Sequence, residues 1–79
     1  MLDNKSLIKI FEKTLGVKKK LTIHSSMKDI PEWDSMAHLT LLFEINKLTK
    51  GKASKIKGLS KCNKVSEFHK LLVKAKLAK

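Results

Sequence analysis

The stretch IPEWDSMAHLTLLFEINKL, residues 30–48, decides the fold because it contains the clearest helix start of the chain. It also holds the only proline and the only tryptophan. Pro31 disfavours helical dihedral angles at Ile30, so the chain should arrive in an extended conformation. Asp34 then predicts an N-cap, because its carboxylate can accept hydrogen bonds from free N–H groups of the first turn. Ser35 is therefore expected at about the first helical position, where backbone donors and the helix dipole favour an attached phosphate.

The segment EWDSMAHLTLLFEI resembles the modification site of acyl carrier proteins and related phosphopantetheine-dependent carrier domains. In that family Asp-Ser-Leu opens a long second helix, and stand-alone members often read WDSLxHL. Here the motif is WDSM at residues 33–36, followed by His38 and Leu39. Met36 replaces the usual leucine, which conserves volume. The resemblance implies that Ser35 carries a 4'-phosphopantetheine arm, whose thiol holds an acyl or aminoacyl cargo as a thioester.

The same resemblance implies a carrier rather than an enzyme. A phosphopantetheinyl transferase would attach the arm from coenzyme A, and acyl- or aminoacyl-loading and processing enzymes would be the other partners. The pathway would be a specialised one, making a lipid, polyketide, peptide or polysaccharide. Two alternatives stay open: a basic helical binding module for nucleic acid or an acidic protein partner, and a carrier homologue that never receives the arm.

Length and composition indicate one small domain over residues 1–79. A single cysteine excludes an internal disulfide and fits a reducing compartment. No apolar run is long enough to span a bilayer, and the N-terminus lacks the hydrophobic region of a signal peptide. A cytoplasmic monomer is therefore expected.

The charge is unusual for a carrier, because most carrier proteins are acidic. Eighteen basic residues, all of them lysine, stand against seven acidic ones and give a net charge of +11. Such an excess favours anionic partners. The absence of arginine, however, argues against sequence-specific reading of nucleic acid, which favours the planar guanidinium group.

The periodicity predicts an all-α fold with three main helices, one short helical turn and a long first loop. The first helix should begin at a cap provided by Asp3 or Asn4, run to about Leu15 and end at Gly16. Residues 17–33 form the loop, which includes the run of lysines at 18–20, read as solvated. Four spaced apolar residues could hold this loop against the core: Leu21, Ile23, Met27 and Ile30.

The final third of the chain is expected to hold the short turn and the last helix. Ile56 and Leu59 predict a single helical turn. Asn63 or Ser60 is the expected cap of a helix from about Lys64 to Ala78. Its apolar stripe comprises Val65, Phe68, Leu72 and Ala75, with Leu71 beside them.

The second helix is apolar on most sides. Leu41, Leu42 and Ile45 are predicted to be core residues. Met36, Leu39 and Phe43 form a second stripe, which either belongs to the core or remains exposed beside Ser35 as a strip where partner enzymes dock. The resemblance supports docking, since the matching positions of the family contact partners.

The polar positions of this helix differ from those of the family. Thr40, Asn46 and Lys47 stand where the family has acidic residues, and Lys47 is included among the predicted docking residues. The change argues against the ordinary fatty-acid partner enzymes and for a dedicated set.

Other functional sites find little support in the sequence. The three histidines His24, His38 and His69 lack metal-ligand spacing, so no metal site is expected. No catalytic residue is predicted, because Ser35 lacks the Gly-x-Ser-x-Gly context of a hydrolase nucleophile. Cys62 is expected to be a small buried hydrophobic residue. Trp33 is expected to anchor the start of the second helix by packing.

Overall fold

The computed structural model describes residues 3–18 and 20–78 and is all-α across them, as predicted. Helix α1 spans Asn4–Leu15, α2 spans Ser35–Leu48 and α3 spans Val65–Lys74. Two short 3₁₀ helices, Ala53–Lys55 and Leu59–Lys61, lie between α2 and α3. The single predicted turn is thus two turns, and Ile56 lies between them rather than inside one.

Helix α1 begins and ends at the predicted residues. The Asp3 carboxylate accepts from the Ser6 N–H at 2.8 Å, and this hydrogen bond lowers the pKa of Asp3. Gly16 ends the helix in the left-handed region, with φ 68°. The inward face of α1 comprises Leu7, Phe11 and Leu15, which are all buried.

Trp33 lies in the middle of an aromatic cluster. Its ring centroid is 5.3 Å from that of Phe11 in an edge-to-face arrangement, and Phe11 is 5.2 Å from Phe68 in the same way. Trp33, Phe11 and Phe68 are among the largest fully buried side chains. Such pairs add about 0.5–1.5 kcal/mol each beyond burial of their area. The prediction that Trp33 anchors the start of α2 by packing is confirmed.

The long first loop is held against the core as predicted. Leu21 and Ile30 are buried, and Ile23 and Met27 are half-buried. A Glu12 carboxylate oxygen also accepts from the Leu21 N–H at 2.8 Å, which ties the loop to α1. Of the lysine run, residues 18 and 20 are exposed, and residue 19 lies outside the described residues.

The predicted cap of α3 is wrong. The N-cap is Lys64, whose side chain makes no capping hydrogen bond. The carbonyls of Ser25 and Ile23 in the first loop accept instead from the N–H groups of Val65 and Ser66, at 3.0 and 2.9 Å. Because the loop backbone satisfies these free donors, the helix needs no capping side chain.

Helix α3 also ends at Lys74, four residues before the predicted end. Lys76 adopts the left-handed conformation, with φ 63°. The N–H of Leu77 donates to the Leu72 carbonyl at 2.8 Å, and the N–H of Lys76 donates to the Val73 carbonyl at 2.9 Å. This pair of bonds is a Schellman motif, which closes a helix. Beyond α3 the chain turns, so Ala75 is exposed rather than part of the apolar stripe.

Cys62 precedes α3 and is buried, as predicted. Burial raises the pKa of its thiol, and the nearby Glu67 carboxylate adds to the rise. The thiol is therefore a packed side chain with little thiolate character. Across residues 3–18 and 20–78, no helix combines the length and hydropathy needed to cross a lipid bilayer.

Candidate functional site

Asp34 and Ser35 form the start of α2 as predicted. Asp34 is extended, with φ −96° and ψ −173°, and its Oδ1 accepts from the Ala37 N–H at 2.9 Å. Its carbonyl accepts from the His38 N–H at 2.8 Å, which closes the first turn. Ser35 is the first helical residue, and it is exposed.

The backbone around Ser35 suits an anionic substituent. The first N–H groups of an α-helix have no acceptor within the helix. The Asp34 side chain accepts from the N–H of Ala37. The N–H groups of Ser35 and Met36 come earlier in the first turn, and no carbonyl of the helix can accept from them. These donors and the positive end of the helix dipole would face a phosphate bonded to the Ser35 hydroxyl.

A hydrogen-bonded chain fixes the position of this helix start. Trp33 Nε1 donates to His38 Nδ1 at 3.1 Å, and His38 Nε2 lies 2.7 Å from the Ser60 carbonyl oxygen. A carbonyl can only accept, so Nε2 carries the proton and Nδ1 accepts, which describes a neutral imidazole. These hydrogen bonds connect Trp33, which precedes Asp34, to His38 in the first turn of α2 and to Ser60 in the second 3₁₀ helix.

Sequence reasoning considered His38 only as a metal ligand or motif position and missed this role. A usable signal was present, because a buried tryptophan N–H requires an acceptor and His38 is the nearest polar ring that follows it. The contact with Ser60 lies 22 residues away in sequence and carries no local signal.

The second stripe of α2 is exposed. The exposed fractions are 79% for Met36, 66% for Leu39 and 64% for Phe43. Their spacing of three and four residues places them on one side of the helix, beginning one residue after Ser35. We call Met36, Leu39 and Phe43 the apolar strip. Between the two readings of these residues, core or exposed, the structure selects the exposed one.

The opposite side of α2 faces the core. Leu41 and Ile45 are fully buried, as predicted. Leu42 is only half-buried, which corrects the prediction that it is a core residue. It lies between the buried side and the apolar strip because helical geometry places it about 100° from Leu41.

Lys47 lies at the far end of the apolar strip from Ser35. It is exposed, and its Nζ is 5.9 Å from the centroid of the Phe43 ring, within the range of a cation–π contact. Twelve residues separate Ser35 from Lys47, which corresponds to about 18 Å along the helix axis. The predicted docking residues therefore form one continuous surface that begins beside Ser35.

A cleft of about 320 Å³ adjoins this surface. It lies between α2 and the two 3₁₀ helices, and both Leu42 and Phe43 line it. Ser60 lines its other side and is the residue whose carbonyl contacts His38. Leu42 is half-buried because its side chain lines this cleft and faces the two 3₁₀ helices across open space. Sequence reasoning did not predict the cleft.

The described residues contain no cluster of metal-ligating side chains, since no three histidine, cysteine or acidic residues among them come together as a metal-binding group. The ring of His38 contacts the rings of Trp33 and Phe68, and its nitrogens lie within hydrogen-bond distance of Trp33 Nε1 and the Ser60 carbonyl oxygen.

Compared with models of protein families, with curated proteins and with solved structures, the chain matches none of them.

Proposed function

We propose that this chain is a carrier protein that receives a 4'-phosphopantetheine arm on Ser35. The observation that carries the proposal is the combination of an exposed serine at the first position of α2 and an exposed apolar strip directly after it. The Ser35 hydroxyl would lose its proton and attack the pantetheine-side phosphorus of the coenzyme A pyrophosphate, so that a phosphodiester forms with the arm and adenosine 3',5'-bisphosphate leaves. The arm's terminal thiol would hold an acyl or aminoacyl cargo as a thioester.

The local geometry supports such an attachment in two ways. Free backbone donors and the helix dipole at the start of α2 stabilise a phosphate there. The packing of Trp33 and the hydrogen bonds of His38 hold the serine at a defined place on the surface. A flexible arm on a fixed point keeps its cargo at a high effective concentration near a docked enzyme.

The apolar strip supports the second part of the proposal, which is docking of enzymes. Met36, Leu39 and Phe43 expose large side chains within about 12 Å of the start of α2, as the helical rise gives. Exposed apolar side chains that form one patch are typical of interaction sites. The adjoining cleft beside Leu42 offers room for the apolar part of a cargo.

The partners we propose are a phosphopantetheinyl transferase and a dedicated set of loading and processing enzymes. Lys47 borders the strip, where the carriers that this chain resembles have acidic residues. Enzymes with basic docking faces would meet a like charge there, which disfavours the complex. The chain would do no chemistry itself and would act as a cytoplasmic monomer.

The test is attachment of the arm. The full chain is incubated with coenzyme A and a broad-specificity phosphopantetheinyl transferase, and its intact mass is measured. The mass should rise by one phosphopantetheine group. Ser35→Ala should abolish the increase, and Ser60→Ala should retain it because Ser60 is exposed but contacts His38 only through its carbonyl. No mass increase with several transferases, or an arm on another residue, would disprove the proposal.

A basic binding module is the second candidate, and the distribution of lysine favours it. Eleven of the eighteen lysines follow Glu44, together with a single acidic residue, Glu67.

A further inference from the structure

The positive charge of the chain is concentrated in its second half. Residues 1–44 contain seven lysines and six acidic residues, for a formal charge of +1. Residues 45–79 contain eleven lysines and one acidic residue, for a formal charge of +10. The acidic residue, Glu67, lies in the first turn of α3, where its Oε1 accepts from the Asn63 N–H at 3.0 Å.

Four of these lysines surround one groove. The groove has a volume of about 380 Å³ and lies between the end of α3 and the segment around the first 3₁₀ helix. Its lysines are Lys52, Lys55, Lys57 and Lys74, and all four are exposed. No acidic residue is among the described residues that line it. We call it the lysine groove.

The remaining lining of the lysine groove is apolar. Ile56, Leu71 and Leu77 are half-buried and pack against the core, so they lie deeper than the exposed lysines. A ligand that fills the groove would therefore contact carbon at its base and ammonium groups at its edges.

The lysine groove lies away from Ser35. Ser54, in the first 3₁₀ helix, donates its N–H to the Asn46 side-chain oxygen at 2.9 Å, which places that segment beside the last turns of α2. Ser35 and Asn46 are eleven residues apart, or about 16 Å along the helix axis. A ligand in the groove would leave the start of α2 accessible.

We propose that the lysine groove binds an acidic segment of a partner protein, with one apolar side chain against Ile56, Leu71 and Leu77. Several carboxylates on that segment would pair with the lysines at the edges. Four cations that line one groove favour a ligand with several negative charges, so a single carboxylate or a simple fatty acid is a poorer match.

Other polyanions fit this site less well. A lipid bilayer presents a broad, flat surface, which would touch the exposed ammonium groups but not the half-buried base of a groove. Nucleic acid offers phosphates without an apolar side chain, and a chain without arginine lacks the side chain that best reads bases. An acidic segment with one large apolar residue satisfies both the charge and the apolar base.

The probe is a fluorescein-labelled nonapeptide with four glutamates, one phenylalanine and four further glutamates. Its binding to the full chain is measured by fluorescence anisotropy at physiological salt. A second peptide has serine in place of phenylalanine. Losing the buried aromatic ring should weaken binding by about tenfold or more.

The matched variants change charge equally at two places. Lys55→Glu with Lys74→Glu alters the groove, whereas Lys5→Glu with Lys9→Glu alters exposed positions on α1. The groove variant should bind the phenylalanine peptide at least about tenfold more weakly, and the α1 variant should lose less than about threefold. Circular dichroism establishes that both variants are folded.

Three results would overturn the proposal. Equal losses in the two double variants would mean that binding follows net charge alone. Equal affinity for the phenylalanine and serine peptides would remove the apolar contact. The third result is that the peptide does not bind, whereas vesicles with phosphatidylserine or duplex DNA bind in a way that depends on Lys55 and Lys74. That result would assign the groove to those ligands instead. Ser35→Ala should leave peptide binding unchanged, so failure of the carrier proposal is distinguishable from failure of this one.

Discussion

Removing the Asp34 cap should destabilise the domain, whereas removing the Ser35 hydroxyl should not. The Asp34 carboxylate accepts the Ala37 N–H at 2.9 Å and lies at the positive end of the α2 dipole. Replacing an aspartate N-cap by alanine typically costs about 1 kcal/mol. Ser35 is exposed, and exposed substitutions usually stay within about 0.5 kcal/mol.

The expected loss is large relative to the stability of so small a domain. A core of this size rarely supplies more than about 3–5 kcal/mol. For a domain of 79 residues, a loss of 1 kcal/mol lowers Tm by about 4–8 °C. Asp34→Ala should therefore unfold about 4–8 °C below the wild type, and Ser35→Ala should unfold close to it.

Thermal unfolding followed by far-ultraviolet circular dichroism, in which helices give a strong negative signal, measures both values. Asp34→Asn is the matched control, since asparagine caps a helix about as well as aspartate. If Asp34→Ala unfolds at the same temperature as Asp34→Asn, the cap does not stabilise α2. If Ser35→Ala unfolds well below the wild type, then the failure of this variant to gain mass with a phosphopantetheinyl transferase would no longer identify Ser35 as the attachment site.

Three further predictions concern the apolar strip, the end of α3 and the buried thiol. Phe43→Ala should slow cargo loading while changing the unfolding free energy by less than about 0.5 kcal/mol, because the ring is 64% exposed; equal effects on loading and folding would contradict docking. Lys76→Gly should stabilise the domain by about 0.5–1 kcal/mol, since glycine adopts φ 63° without strain. Lys70→Gly, at an exposed position inside α3, should destabilise it by about 1 kcal/mol, and chemical denaturation measures both changes. Because the pKa of Cys62 is raised, the folded thiol keeps its proton at a pH where the unfolded thiol has lost it. The free energy of unfolding should therefore fall as pH rises above the ordinary thiol pKa of about 8.5. Urea titrations across that pH range measure the fall, which Cys62→Ala should lack.

The start of α2 could be predicted because its signals are local. Pro31 excludes helix before it, and Asp34 reaches the backbone three residues ahead. The spacing of apolar residues by three or four positions along the helix likewise predicted the buried positions of Leu41 and Ile45. Both kinds of signal need only the helical repeat and one neighbouring turn.

The start of α3 lies within one residue of the predicted Lys64, but its capping could not be predicted, because its hydrogen-bond acceptors come from elsewhere in the chain. The N–H groups of Val65 and Ser66 bind carbonyls at Ser25 and Ile23, some forty residues earlier. A backbone carbonyl is present in every residue type, so no amino-acid preference marks these acceptors. Side-chain capping rules consequently pointed to Asn63 or Ser60.

The early end of α3 was missed for a related reason. Left-handed residues that end helices are usually glycine, and here the position is Lys76. The contacts beyond the helix explain the exception: Leu77 is half-buried against the core, and Ala78 is buried. Burial of these two apolar side chains after the turn offsets the strain at Lys76.

The position of Ser35 is tied to the most strongly packed part of the molecule. Trp33 is two residues before it, 2% exposed, and in contact with Phe11 of α1 and Phe68 of α3. His38, one turn after it, connects Trp33 to the Ser60 carbonyl. A surface serine between two such anchors cannot move without disturbing the aromatic core. If Ser35 carries the proposed arm, this would separate two requirements: the attachment point would stay fixed relative to the apolar strip that an enzyme would bind, and all of the reach would come from the arm.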